Sequence, residues 1–192
     1  MKNIAIFASG TGSNAKKIIE YFAHHQNIKV SLVVSNRGSA PVLTMASSNG
    51  VDTFVIQRQS FYHTEEVLDV LKKYQIDCIV LAGFLWLIPP YLIQHFPNKI
   101  VNIHPALLPK YGGKGMYGSY VHQAVKAANE KESGVTIHLI DEVYDRGKML
   151  FQQSCELKPS DTAEEIARKV LKLEHQYFAP IIEQFLNNEN QK

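Results

Sequence analysis

Residues 3–14 read NIAIFASGTGSN: a short apolar run that breaks into small residues just before a helical pattern begins. The run NIAIFA (3–8) is apolar on both alternating faces, so it reads as a strand that needs a cover of helices on both sides. ASGTGSN (8–14) then turns the chain into a helix expected from about residue 14 to 26. The same order repeats along the first half. Strands are expected at VSLVVS (30–35), DTFVI (52–56), DCIVLAG (77–83) and KIVNI (99–103). Between them the pattern is helical from Pro41 to about 48, from about 62 to 75, and from Pro89 or Pro90, where a proline fits the first turn because its missing donor costs nothing. Crossovers this short between strands apolar on both faces predict a mostly parallel sheet, five strands wide to this point.

Beyond residue 113 the order changes. A helix over about 118–130 is followed by GVTIHLI (134–140), KMLFQQSCEL (148–157) and a long helix over about 162–185. The late strands are joined only by DEVYDRG (141–147), too short for a crossover helix, so they should form an antiparallel pair extending the parallel sheet. Thr162 and Glu165 have capping-box spacing at the start of the last helix. The expected fold is therefore an open, mostly parallel, Rossmann-like α/β sheet of about seven strands flanked by helices, with an antiparallel C-terminal strand pair.

Composition sets the bounds. The 192 residues, 45% apolar and 20% charged with a net charge of +2, make one globular domain the default and give no reason to invoke a nucleic acid. Cys78 and Cys155 lie in strand-like runs without metal-ligand spacing, which suits buried thiols in a reducing compartment. The start has no signal-peptide core and no later run is long enough to span a membrane, so a cytoplasmic protein is expected.

Three stretches carry candidate chemistry. In ASGTGSN the unpaired amides and positive end of the first helix converge on Gly10, Thr11, Gly12, Ser13 and Asn14, with Ser9, Thr11 or Ser13 offering hydroxyls. A phosphate fits there. The full G-x-G-x-x-G spacing of a dinucleotide site and the G-K-[ST] ending of a P-loop are both missing, and a tight turn without ligand is the bland alternative.

In NIHPALLPKYGG (102–113), Asn102 and His104 flank Ile103 at a strand end, which sends both polar side chains to one face. Pro105 biases His104 away from the α region, while Pro109 and Gly112-Gly113 shape a loop after it. Strand carboxyl ends line the ligand crevice of an open α/β sheet, where both this stretch and the glycine loop are expected. Each residue alone is equally well explained as a structural polar group.

DEVYDRG offers Asp141, Glu142 and Asp145, among which spacing does not choose. A carboxylate beside His104 would raise and orient the imidazole and could pass a proton. For His138 two readings stand: support for such a carboxylate, or a structural histidine. His24, His25 and His175 lack metal-site spacing, and HP rather than HExxH surrounds His104, so no metal is assigned.

Taken in order, ASGTGSN, LAGFLWLIPP (81–90), NIHPALLPKYGG and GVTIHLIDEVYDRG (134–147) resemble the phosphoribosylglycinamide formyltransferase family across nearly the whole chain. The resemblance implies formyl transfer from 10-formyltetrahydrofolate, a co-substrate, to the amine of 5′-phosphoribosylglycinamide in purine synthesis. It implies a catalytic trio of Asn102, His104 and Asp145, and a substrate set of Gly10, Thr11, Gly12, Ser13, Asn14 and Glu174. Leu85, Trp86, Leu87, Ile88 and the backbone near Val143 would take the folate, with His138 and His122 in support. For Glu174 the competing reading is exposure on an amphipathic helix, and for the folate run it is core packing.

On this resemblance residues 1–192 are a single formyltransferase domain, with a phosphate-binding part over about 1–100 and a catalytic, folate-binding part over about 101–186. It is expected to work as a monomer or homodimer, without membrane or nucleic-acid partner. Trp86 stands where many members carry arginine, and GGKGMYGSYVH (112–122) departs from a shorter histidine-containing version, so Met116 and Tyr117 inherit no role. Lys110 and Lys114 read as surface lysines unless a loop closes over them. The alternatives are another formyl-folate enzyme, such as a deformylase or a formyltransferase on a different amine, and a non-catalytic nucleotide-binding module.

Overall fold

A computed structural model describes residues 1–141, 145 and 147–188. Its seven strands are β1 (Lys2–Phe7), β2 (Ile28–Ser35), β3 (Asp52–Val55), β4 (Cys78–Leu81), β5 (Ile100–His104), β6 (Glu132–Leu139) and β7 (Met149–Glu156). The helices are α1 (Ser13–Phe22), α2 (Pro41–Ser48), α3 (Arg58–His63), α4 (Glu66–Lys73), α5 (Pro90–His95), α6 (Ser119–Ala127) and α7 (Ala163–Asn188). Strands follow the order β3-β2-β1-β4-β5-β6-β7, with β1–β2, β1–β4 and β2–β3 parallel and β6–β7 antiparallel. This is the mixed sheet expected from the apolar runs and the short late connection.

The chain divides into two compact units, Met1–Val101 and Asn102–Lys192. In the first, β1 is central: Ile4–Phe7 are wholly buried, with β2 on one side and β4 on the other. From β1 the chain builds outward through β2 to β3, then returns to place β4 on the opposite side, so the strand order reverses between β1 and β4. Loops leaving the carboxyl ends of such a pair diverge and open a crevice.

The helix expected over about 62–75 is instead two helices, because Thr64 interrupts it. Its hydroxyl donates to Ser60 O at 2.9 Å and accepts from Glu66 N at 3.3 Å, while its backbone is extended. A threonine that satisfies backbone groups locally competes with the helix ladder. α1 also stops at Phe22, short of the expected 26; His25 Nδ1 then accepts from the amides of Asn27 and Ile28 and turns the chain into β2.

In the second unit, β6 is buried from Ser133 to Leu139, and the edge strand β7 alternates between half-buried and exposed residues. α7 begins as its capping box predicts: Thr162 N donates to Glu165 Oε2 at 2.7 Å and Glu165 N to Thr162 Oγ1 at 3.2 Å. Both cysteines are free thiols; Cys78 is buried, but Cys155, on the edge strand, is only half-buried. Among the described residues no helix is long and apolar enough to cross a membrane.

Candidate active site

The first unit carries the glycine loop at the end of β1. Gly12 has φ 76°, and a β-carbon there would come within 2.3 Å of Val42 Cγ2, so only glycine suits both the turn and the approach of α2. Gly10 O accepts from Val42 N at 3.3 Å, which braces the loop on the start of α2. Gly12 is the N-cap of α1 and supplies no side-chain cap. Uncapped first-turn amides at the positive end of a helix suit an anion. Gly10, Thr11 and Ser13 are exposed around it, and Asn14 is half-buried.

Ser9 does not belong to that hydroxyl set. It is buried, its amide donates to Gly83 O at 3.1 Å, and its hydroxyl accepts from Leu85 N at 2.9 Å. Ser9 thus ties the loop after β1 to the loop after β4, where LAGFLWLIPP begins. Leu85 and Leu87 are largely exposed, while Ile88 is in the core. Trp86 is half-buried, with ring centroids of Phe61 at 5.7 Å, Tyr62 at 6.2 Å and Phe84 at 6.3 Å, and the Arg58 guanidinium over it at 5.9 Å. Tyr62 Oη fixes the run by donating to Leu87 O at 3.1 Å. The two exposed leucines leave apolar side chains open to solvent on either side of Trp86, whereas Ile88 packs in the core. Val143 lies outside the described residues.

The second unit brings together Asn102, His104, His138 and Asp145. Asn102 and His104 lie two positions apart on β5 with Ile103, buried, between them. His138 Nδ1 is 2.9 Å from Leu139 O, and a carbonyl only accepts, so Nδ1 carries the proton. Nε2 is then the acceptor for Asn102 Nδ2, at 3.1 Å. Burial drives the His138 pKa down, against smaller upward pulls from the Leu139 carbonyl and Asp145, which keeps this neutral tautomer in place. His138 therefore stands 3.6 Å from Asp145 Oδ1, the kind of carboxylate partner the sequence suggested, and also orients the Asn102 amide, a contact the sequence did not suggest.

His104 is 4% exposed, and its Nε2 lies 2.8 Å from Tyr111 O, which again assigns the proton. Its Nδ1 faces Asp145 Oδ1 at 3.8 Å, beyond direct hydrogen-bond reach. The other oxygen of Asp145 accepts from Gly113 N at 2.7 Å. Of the carboxylates in the β6–β7 connection, Asp145 is the one against both imidazoles; Asp141 is exposed and Glu142 lies outside the described residues.

The turn after His104 is fastened by residues that carry no motif. Thr136 Oγ1, wholly buried, donates to Ala106 O at 2.7 Å and accepts from Leu108 N at 3.0 Å and Gln152 Nε2 at 2.9 Å. Gln152 Nε2 also reaches Leu108 O at 3.0 Å. The peptide bond Leu108–Pro109 is cis. One sequence signal for this scaffold exists: Thr136 and His138 alternate as the two polar residues of the run GVTIHLI, and Thr136 pairs across the ladder with Gln152.

Glu174 is 9% exposed on α7, so it is a buried acid rather than a solvated helix face. His122 is buried on α6, and its Nδ1 has no hydrogen-bond partner among the described residues. Burial, then the neighbouring His104, lowers its pKa. Lys110 is engaged with Glu130 at 2.9 Å, and Lys114 is exposed. Among the described residues no group of His, Cys, Asp and Glu is arranged to hold a metal ion.

An amide held by a neutral imidazole, next to a carboxylate between two imidazoles, suits transfer of a group through a charged tetrahedral state. The family model described as formyl transferase matches residues 2–182, and the chain belongs to that family. Its relatives narrow the match. The phosphoribosylglycinamide formyltransferase of Bacillus subtilis (strain 168) is 32% identical over 199 residues, covering the whole of both chains. The chloroplastic phosphoribosylglycinamide formyltransferase of Arabidopsis thaliana is 42% identical over 187 residues, 94% of this chain. The chain spans 64% of that plant protein's length. The crystal structure of glycinamide ribonucleotide transformylase 1 from Geobacillus kaustophilus superposes with a TM-score of 0.87 at 34% identity, covering 97% of this chain and 99% of that one.

Proposed function

We propose that the protein transfers the formyl group of 10-formyltetrahydrofolate directly to the primary amine of 5′-phosphoribosylglycinamide. The observation that carries this reading is the Asn102–His138 hydrogen bond beside the His104–Asp145 pair, in a chain of the formyl transferase family. The amine must attack as the neutral base, the formyl oxygen gains negative charge, and the departing folate nitrogen needs a proton.

One hydrogen of Asn102 Nδ2 is committed to His138, and the second is available to the developing oxyanion. His104 has Nε2 committed to Tyr111 O, so a charged His104 donates through Nδ1. Asp145, 3.8 Å from Nδ1, takes the ammonium proton of the amine and relays it through water toward the leaving nitrogen. No acyl-enzyme is required. The Gly10–Asn14 loop takes the substrate phosphate, Glu174 contacts the glycinamide part, and Leu85–Ile88 receive the folate ring.

The deciding experiment supplies purified protein with 10-formyltetrahydrofolate, with and without 5′-phosphoribosylglycinamide, and follows both products. Formylated glycinamide formed only with the acceptor is the expected result. Tetrahydrofolate and formate released equally without acceptor would make the protein a hydrolase, and no turnover in either arm would leave a binding protein.

A further inference from the structure

Tyr111 stands immediately before the Gly112-Gly113 turn, and three parts of it make three separate contacts. Its carbonyl accepts from His104 Nε2 at 2.8 Å. Its hydroxyl donates to Glu130 Oε1 at 2.9 Å, an oxygen that Lys110 Nζ also reaches at 2.9 Å. Its ring packs on the buried cluster of Val125, Leu157, Ile166 and Val170, drawn from α6, the end of β7 and α7. Its backbone has φ 56°, a conformation that a bulky residue keeps only when its surroundings impose it. Two residues on, Gly113 N donates to Asp145 Oδ2 at 2.7 Å. The same three-residue segment therefore fixes one nitrogen of His104 and one oxygen of Asp145.

We infer that Tyr111 is a positioning residue for the proposed transfer: its anchored ring and hydroxyl hold the carbonyl that keeps a proton on His104 Nε2, which leaves Nδ1 to face Asp145 and the substrate. The alternative tautomer, with the proton on Nδ1, would place a bare Nε2 lone pair against a carbonyl oxygen and is excluded by repulsion while that carbonyl stays in place. Glu130 belongs to the same device, because it fixes the hydroxyl at the far end of the ring. The burial of the phenol and its bond to Glu130 both hold its pKa above the usual value, so it remains a donor.

The kinetic half of this inference rests on the proposed function; the tautomer does not. The test compares wild type, Tyr111→Phe and Glu130→Ala by long-range proton–nitrogen correlation of ¹⁵N-labelled histidine and by steady-state kinetics. Tyr111→Phe keeps the ring and loses only the hydroxyl, and Glu130→Ala leaves Tyr111 intact, so folding of either variant suffices. In wild type the neutral His104 should give the Nε2-protonated pattern. In both variants that pattern should give way to a mixture of tautomers, and kcat should fall about tenfold with both KM values held, within the loss a displacement near 1 Å causes. Unchanged nitrogen signals in both variants would overturn the inference, as would altered signals with an unchanged kcat. If wild type shows no acceptor-dependent formylation, the proposed function fails while the nitrogen signals still decide what Tyr111 does to His104.

Discussion

The amide Nδ2 of Asn102 lies 3.1 Å from Nε2 of His138, so an imidazole fixed by the Leu139 carbonyl decides which way that amide points. Replacing His138 by phenylalanine removes the acceptor but keeps an aromatic ring in a site only 1% exposed. Asn102→Ala, which loses the oxyanion donor itself, should cost roughly 10²-fold or more in kcat. His138→Phe should cost less, on the order of tenfold, because the donor remains but is no longer aimed. His138→Gln, which restores an acceptor, should recover part of the loss. Steady-state kinetics with both KM values measured checks all three, and full activity in His138→Phe would remove His138 from the site.

The buried imidazoles also set a pH response of stability. Burial is the leading cause that lowers the pKa of both His122 and His138 from 6.5. Each therefore binds a proton more readily in the unfolded chain than in the folded one. Their contribution is fully present above the unfolded value of about 6.5 and is lost as the pH falls through the lowered folded values. The melting temperature should drop on acidification below about pH 6.5, and His122→Asn should make that drop shallower. An identical slope in wild type and variant, read by thermal unfolding across the range, would show that His122 does not contribute.

The parts legible in the sequence were those written in side-chain periodicity. Ile4–Phe7, buried on both faces, and the Asn102-Ile103-His104 alternation could both be placed because strand geometry is local. Contacts that depend on pairing between elements could not. His138 reaches Asn102 from another strand, and Asp145 differs from Asp141 only through the course of its loop, where its φ is 53°. Tyr111 acts through a carbonyl, which every residue type has, so no side-chain motif announces it. Thr64 broke a periodic helix through a local hydrogen bond that apolar spacing does not register.

Gly12→Ala tests the anion loop apart from the chemistry. The new methyl would meet Val42 Cγ2 at 2.3 Å and Val42 Cβ at 2.7 Å, at a backbone angle of φ 76° that alanine resists. The loop must open, costing roughly 1–3 kcal/mol of stability from strain alone. The KM for the phosphorylated acceptor should rise, while that for the folate stays near wild type. An unchanged acceptor KM would take the phosphate away from this loop.

Thr136→Val keeps the shape of a wholly buried side chain and deletes the oxygen that serves Ala106 O, Leu108 N and Gln152 Nε2. Buried groups left without partners cost roughly 1–3 kcal/mol each. A loss of at least that size is expected in denaturant unfolding. Because these bonds fasten the turn directly after His104, kcat should also fall. A variant as stable as wild type would mean the turn holds without this oxygen.

Gly112 makes room for Asp145. A β-carbon at residue 112 would lie 2.5 Å from Leu108 Cδ2 and 3.2 Å from Asp145 Cβ. Leu108 is buried, so the Gly112→Ala clash is relieved by moving the loop or the Asp145 side, and either shift disturbs the 2.7 Å bond from Gly113 N to Asp145 Oδ2. The expected result is a kcat lowered by roughly 10- to 10²-fold, with little change in either KM. Asp145→Asn should lower kcat too, since it cannot take the ammonium proton. If the alanine acts by displacing this carboxylate, the two losses cannot add: the double variant should be no slower than Asp145→Asn alone. Multiplying losses in the double-mutant cycle would show that Gly112 serves some other part of the site, and would leave the Asp145 carboxylate without its proposed dependence on the turn.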